Sequence, residues 1–133
     1  MTVRGVRGAT TVSINSEESI LAATQQLLEA VIAKNDIHPQ DLAAAYFTVT
    51  SDLCATFPAK AARLMGWQHV PLLDALEIPV PGSLPRCVRV LLLWNTSKTQ
   101  EAIIHIYQGQ ATQLRPDLGS KVSGPNALGG QES

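Results

Sequence analysis

Few residues of this 133-residue chain are charged: 16%, with ten Lys and Arg against eleven Asp and Glu and a net charge of -1. Aromatic residues are scarcer, at 5%. Together these exclude an ordinary nucleic-acid surface, which needs a basic face and stacking rings. No apolar run approaches the ~20 residues of a membrane-spanning helix, so no membrane partner is expected. The two cysteines, Cys54 and Cys87, stand far apart without CxxC spacing, so neither a disulfide framework nor a metal site is expected. HExxH, GxxxxGK and GxGxxG are all missing, which removes the commonest metal and phosphate-loop chemistries. The first segment is interrupted by arginines and does not read as a leader peptide, and the expected location is the cytoplasm.

What is present is apolar: hydrophobic residues make up 45% of the chain. That suits one folded domain of ordinary size, burying about two-thirds of its unfolded surface. A surface so sparsely charged points to oligomerisation, which would hide apolar patches. RGVRGATTV lies in a first strand from Val3 to about Val12. Beyond SINSEE, with Asn15 or Ser16 as cap, apolar positions from Ile20 to Ile32 fall at helical spacing, predicting a long amphipathic helix that stops near Lys34 and Asn35. Proline 39 in IHPQD suits the first position of a short turn. LAAAYFTVT has strand propensity, FPAKAARLMG reads as a helix of two to three turns ending at Gly66, and HVPLL as a short strand. DALEIPVPGSLPR is a proline-rich connection. CVRVLLLWN is the strongest buried strand, and AIIHIY with ATQL, turning at Gly109, is expected to form a closing hairpin. The predicted class is α/β (α+β): a mixed sheet packed with one long and one short helix. The domain spans 1–118, and the glycine-rich remainder, 119–133, is expected to be a flexible tail.

The cations are unusually placed. The long helix contributes only Lys34, whereas Arg7, Arg89 and Arg115 lie on or beside apolar strands. An arginine inside CVRVLLLWN is costly to bury without an anionic partner, unless that strand is an edge with one face in water or the arginine pairs with a distant acid. Arg115, before Pro116, is held extended. In the first strand Arg7 shares a face with Val3 and Gly5, and Arg4 faces the other way. Lys60 and Arg63, three apart, share a helix face. Several cations with no nucleophile or metal motif suggest a receptor for a small polyanion and a reaction that needs only positioning and electrostatics. His105, alternating with Ile103 and Tyr107, reads as structural.

RGVRGATTV, FPAKAAR followed by GWQHVP, CVRVLLLWN and IYQGQATQLRPDL, in this order and spacing, resemble the trimeric α/β class of bacterial chorismate mutases. The resemblance runs from Val3 to Leu118. It implies a homotrimeric pseudo-α/β-barrel with active sites between subunits, and cofactor-free conversion of chorismate to prephenate on the route to phenylalanine and tyrosine. It implies that Arg89 lies beside the breaking ether oxygen, and that Arg7 and Tyr107 hold a substrate carboxylate. Glu77 would accept a hydrogen bond from the ring hydroxyl, Arg63 and Arg115 would stand at the mouth or lid, and Phe57, Ala59 and Lys60 would form a wall. Leu72, Leu73 and Leu114 would complete the lining. Leu73 and Asp74 depart from the family's threonine and cysteine, and Asp74 is expected near the ring hydroxyl. Two alternatives are an imine or enamine deaminase of similar trimeric fold and a non-catalytic metabolite-binding trimer.

Overall fold

The computed structural model describes residues 1–114. Arg115 and the expected tail lie outside the described residues. Strand β1 (Thr2–Thr11) leads to helix α1 (Glu17–Asn35), a 3-10 turn at Pro39–Asp41, strand β2 (Leu42–Val49) and the short helix α2 (Ala59–Leu64). Strands β3 (Leu72–Leu76), β4 (Cys87–Thr96) and β5 (Ile106–Tyr107) follow, with 3-10 turns at Gln100–Ala102 and Gly109–Gln113. The α1 start is set by Ser16, whose Oγ accepts the Ser19 N–H at 3.1 Å, and Glu17 and Glu18 complement the helix dipole in the first turn. Past Asn35, Asp36 takes the left-handed conformation that ends the helix.

The strands form one mixed sheet in the order β3-β2-β4-β1-β5. β4 runs antiparallel to β1 and β2, whereas β3 and β5 run parallel to their neighbours. Both helices cover a single face. Val6, Phe47, Val90 and Leu92 from the sheet pack there with Leu27, Leu28 and Val31 of α1 and Ala59 and Ala62 of α2. The opposite face carries the alternate residues: Val3, Arg7, Tyr46, Thr48, Leu73, Arg89 and Leu91. Val3 and Leu73 are more than half exposed. No helix among the described residues covers them, which leaves apolar surface of the kind that the sparse charge led us to expect.

CVRVLLLWN is a buried strand as expected: β4 lies at the centre of the sheet between β2 and β1, with Val88, Val90, Leu92 and Trp94 buried. Two local expectations change. The closing hairpin does not form. Two residues of β5 add to β1 in parallel, and Gly109, at φ 58, turns the chain into a 3-10 helix instead of a return strand. Helix α2 is shorter than foreseen, six residues. Gly8, unlike Gly5, faces the helices: an added Cβ would lie 3.1–3.3 Å from Val90, Leu27 and Val31. Its missing side chain admits α1, not a ligand.

Candidate active site

Sheet register assembles the site on the uncovered face. Arg89 of β4 pairs with Ala9 of β1 on one side and Thr48 of β2 on the other. Arg7, two residues before Ala9, therefore projects from the same face as Arg89. Tyr107 pairs with Ala9 from β5 and is 2% exposed, packed with Ala9, Ala111, Leu84 and Leu114. Glu77 follows β3 directly, its backbone N–H donating to the Val49 carbonyl at 2.9 Å. Thus four strands bring Arg7, Glu77, Arg89 and Tyr107 around one cavity of ≈290 Å³, which Tyr46, Thr48 and Leu91 also line.

Glu77 is the electrostatic pivot. Its Oε2 lies 3.3 Å from Arg89 Nε and accepts a hydrogen bond from the Thr48 hydroxyl. Arg89 Nε is buried and, in spite of that proximity, has no aligned hydrogen-bond acceptor among the described residues. The side chain as a whole is 28% exposed and lines the cavity, so an incoming oxygen meets the guanidinium at its exposed part while Glu77 lies beside the buried Nε. Among the described residues the ion pairs are Arg89–Glu77 and Lys60–Glu17, which leaves the Arg7 guanidinium without a carboxylate partner there. Cys87, on the same face as Arg89, is 1% exposed, and burial pushes its thiol up, against the opposing effect of Arg89. It is therefore a packing residue at neutral pH.

A broader cleft of ≈1040 Å³ adjoins this cavity through Glu77 and Arg89 and is walled by Ile78, Leu84 and Leu114. Phe57 and Asp74 belong elsewhere, to a cleft of ≈350 Å³ that shares no lining residue with either of the others. Phe57 is 67% exposed. On α2, Arg63 is exposed, Ala59 is buried, and Lys60 reaches across to Glu17 at 2.5 Å, holding that carboxyl below its ordinary range. Leu73 is exposed on the uncovered face, whereas Leu72 packs under the helices and does not line the cavity around Arg89. One chain thus carries two separated halves of the expected residue set.

Asp74 lines none of the three clefts that Glu77 lines. Its Oδ1 accepts the Ala59 N–H at 3.0 Å, at the start of α2, and burial raises its carboxyl against the opposing effects of that hydrogen bond and Arg63. Within the chain this carboxylate ties β3 to α2. Thr48 was missed by sequence reasoning. Its signal was the alternation with Tyr46 on a strand otherwise apolar on its buried side, but its contact with Glu77 spans 29 residues and needs the fold.

The chorismate mutase type I family matches residues 3–118. A chorismate mutase from Thermus thermophilus is 53% identical over 119 residues, covering 89% of this chain and 98% of the relative. One from Bacillus subtilis is 46% identical, covering 89% and 94%. The solved chorismate mutase from Clostridium thermocellum superposes with a TM-score of 0.82 at 47% identity, covering 83% of this chain and 98% of that one. These matches favour the mutase over the deaminase reading that the sequence also raised. The chain belongs to the chorismate mutase type I family, and its activity is that class of isomerisation.

Proposed function

We propose that the protein rearranges chorismate to prephenate in clefts completed between the subunits of a homotrimer, with no covalent or cofactor step. The observation that carries the proposal is the Arg89 guanidinium on a central strand, lining one cavity with Arg7 and Tyr107 and flanked by Glu77. In the reaction the ether carbon-oxygen bond breaks as a carbon-carbon bond forms within one molecule. Negative charge grows on the ether oxygen, so a guanidinium aimed there stabilises the transition state more than the ground state. Arg7 and Tyr107 grip one carboxylate of the folded substrate, and Glu77, oriented by Thr48, accepts from the ring hydroxyl. Holding both ends selects the compact conformer.

The second half, with Phe57, Ala59, Lys60 and Arg63, comes from a neighbouring chain. Its separation from the Arg89 cavity within one chain and the uncovered apolar face of the sheet support that arrangement. Arg63, with Arg115 of the undescribed segment, supplies cations at the mouth. A millionfold acceleration requires about 8 kcal/mol of barrier lowering, within reach of one desolvated charge contact plus conformer selection. The test is to follow loss of chorismate's enol-ether absorbance with purified protein and to convert any prephenate to phenylpyruvate with acid. Saturable formation of prephenate is expected. Binding without turnover would instead indicate a non-catalytic metabolite-binding trimer, and the absence of both binding and turnover would overturn the reading.

A further inference from the structure

The backbone N–H of Arg7 points to the β5 side of β1, yet its acceptor is not a peptide carbonyl. It is Nδ1 of His105, at 3.0 Å. β5 pairs with β1 only at Gly8–Ile106 and Ala9–Tyr107, extended by the Gln108 N–H donating to the Ala9 carbonyl at 2.9 Å. The imidazole therefore continues the ladder one step past the end of the strand. Sheet edges need such partners, because a main-chain donor left without one is penalised.

The segment before His105 is fixed independently. Asn35, fully buried at the end of α1, donates from Nδ2 to the Ile104 carbonyl at 2.8 Å and to the Val31 carbonyl at 3.0 Å. Its Oδ1 accepts the Ile104 N–H at 2.8 Å. Residue 104 is thus tied to α1, 105 to Arg7, and 106–107 to the residues that follow Arg7. His105 stands between the two side chains to which carboxylate binding is assigned, one adjacent in hydrogen bonding and the other two residues along the chain.

We propose that His105 is a positioning residue for Arg7, a role that rests on the mutase reading given above. Its imidazole, unprotonated at Nδ1, accepts the Arg7 N–H and fixes the stretch of β1 from which the Arg7 guanidinium reaches the substrate carboxylate. It acts through Arg7 and does not touch the substrate. The effect belongs to substrate binding: KM should move and kcat should not.

A double-mutant cycle tests this, with chorismate turnover, circular dichroism and gel filtration on each variant. His105→Leu is expected to raise KM by roughly 5–20-fold with kcat within about threefold of the parent. His105→Asn, whose Oδ1 can take the place of Nδ1, should recover most of that loss. In an Arg7→Ala background His105→Leu should cost little more, because the two act as a unit. Additive losses, an Asn variant as impaired as Leu, or a change in kcat alone would each overturn the proposal. If His105→Leu does not fold, His105→Phe, which also lacks the acceptor, takes its place in the cycle: a raised KM that His105→Asn recovers supports the role, and an unchanged KM refutes it. A wild-type protein without turnover would refute the mutase reading itself and this role with it, whereas an active wild type with additive losses would refute only the role of His105.

Discussion

Replacing Arg89 by alanine removes the cation from the centre of the sheet and leaves Glu77 with the Thr48 hydroxyl as its remaining contact among the described residues. About half a unit of charge developing on an oxygen ~3 Å from a guanidinium, at an effective dielectric of ~20, is worth about 3 kcal/mol. The lost charge-assisted hydrogen bond brings the total to about 3–5 kcal/mol. That corresponds to a fall in kcat of roughly 10²–10⁴-fold. Arg89→Lys retains the charge without the planar fork and should fall between alanine and wild type. Steady-state turnover of chorismate, with gel filtration to show that assembly is unchanged, measures the effect. A properly assembled Arg89→Ala protein with nearly full kcat would refute the electrostatic account, whatever its KM.

Arg63 is exposed, and its proposed place at the mouth, where a cation attracts the dianion without facing the breaking bond, predicts that Arg63→Ala mainly raises KM, by roughly tenfold. A loss confined to kcat would contradict that placement. Asp74→Asn keeps an acceptor for the Ala59 N–H but removes a carboxylate whose charged form burial disfavours. Because its folded pKa is raised, the unfolded chain sheds this proton first, and stability falls as pH rises from the ordinary carboxylate range of ~4 through the raised value. Thermal melts should therefore show the Asn variant more stable than wild type at neutral pH and indistinguishable from it below about pH 4; a gap that persists in acid would contradict this. Gly109→Ala forces a side chain into φ 58 and places its Cβ 2.6 Å from Thr11 Oγ1. Denaturant unfolding should register a loss of about 2 kcal/mol or more, and a change below ~0.5 kcal/mol would show that the turn relaxes freely.

The cations on extended backbone were legible in the sequence, and so was the uncovered apolar face, since both follow from composition and strand periodicity. What places Arg7 beside Arg89 is the register that sets Ala9 against Arg89, and register between strands 80 residues apart has no local signal. The burial of β4 was legible in its apolar run, but the place of Arg89 was not: an arginine there fits an edge strand or a pairing with a distant acid equally well until the fold brings Glu77 to it. The hairpin expected at Gly109 failed because a glycine at positive φ serves a 3-10 turn as readily as a β-turn. The family resemblance placed Asp74 near the ring hydroxyl, and no local signal showed its hydrogen bond to Ala59, 15 residues away at the start of α2. Gly8 shows the same dependence, because only the packed α1 tells whether the bare face meets ligand or helix.

The central claim is a cationic cleft made from two chains, and complementation measures it most directly. Chains carrying Arg89→Ala would be co-expressed with chains carrying Lys60→Ala and Arg63→Ala, under two tags so that mixed assemblies can be isolated. If each site takes Arg89 from one subunit and α2 from the next, every mixed trimer has about one of its three sites in wild-type composition. Chorismate turnover in the mixed assemblies should then rise far above that of either parent at low substrate concentration. Mixed trimers with no more activity than the average of their parents would place the whole site within one chain and contradict the account.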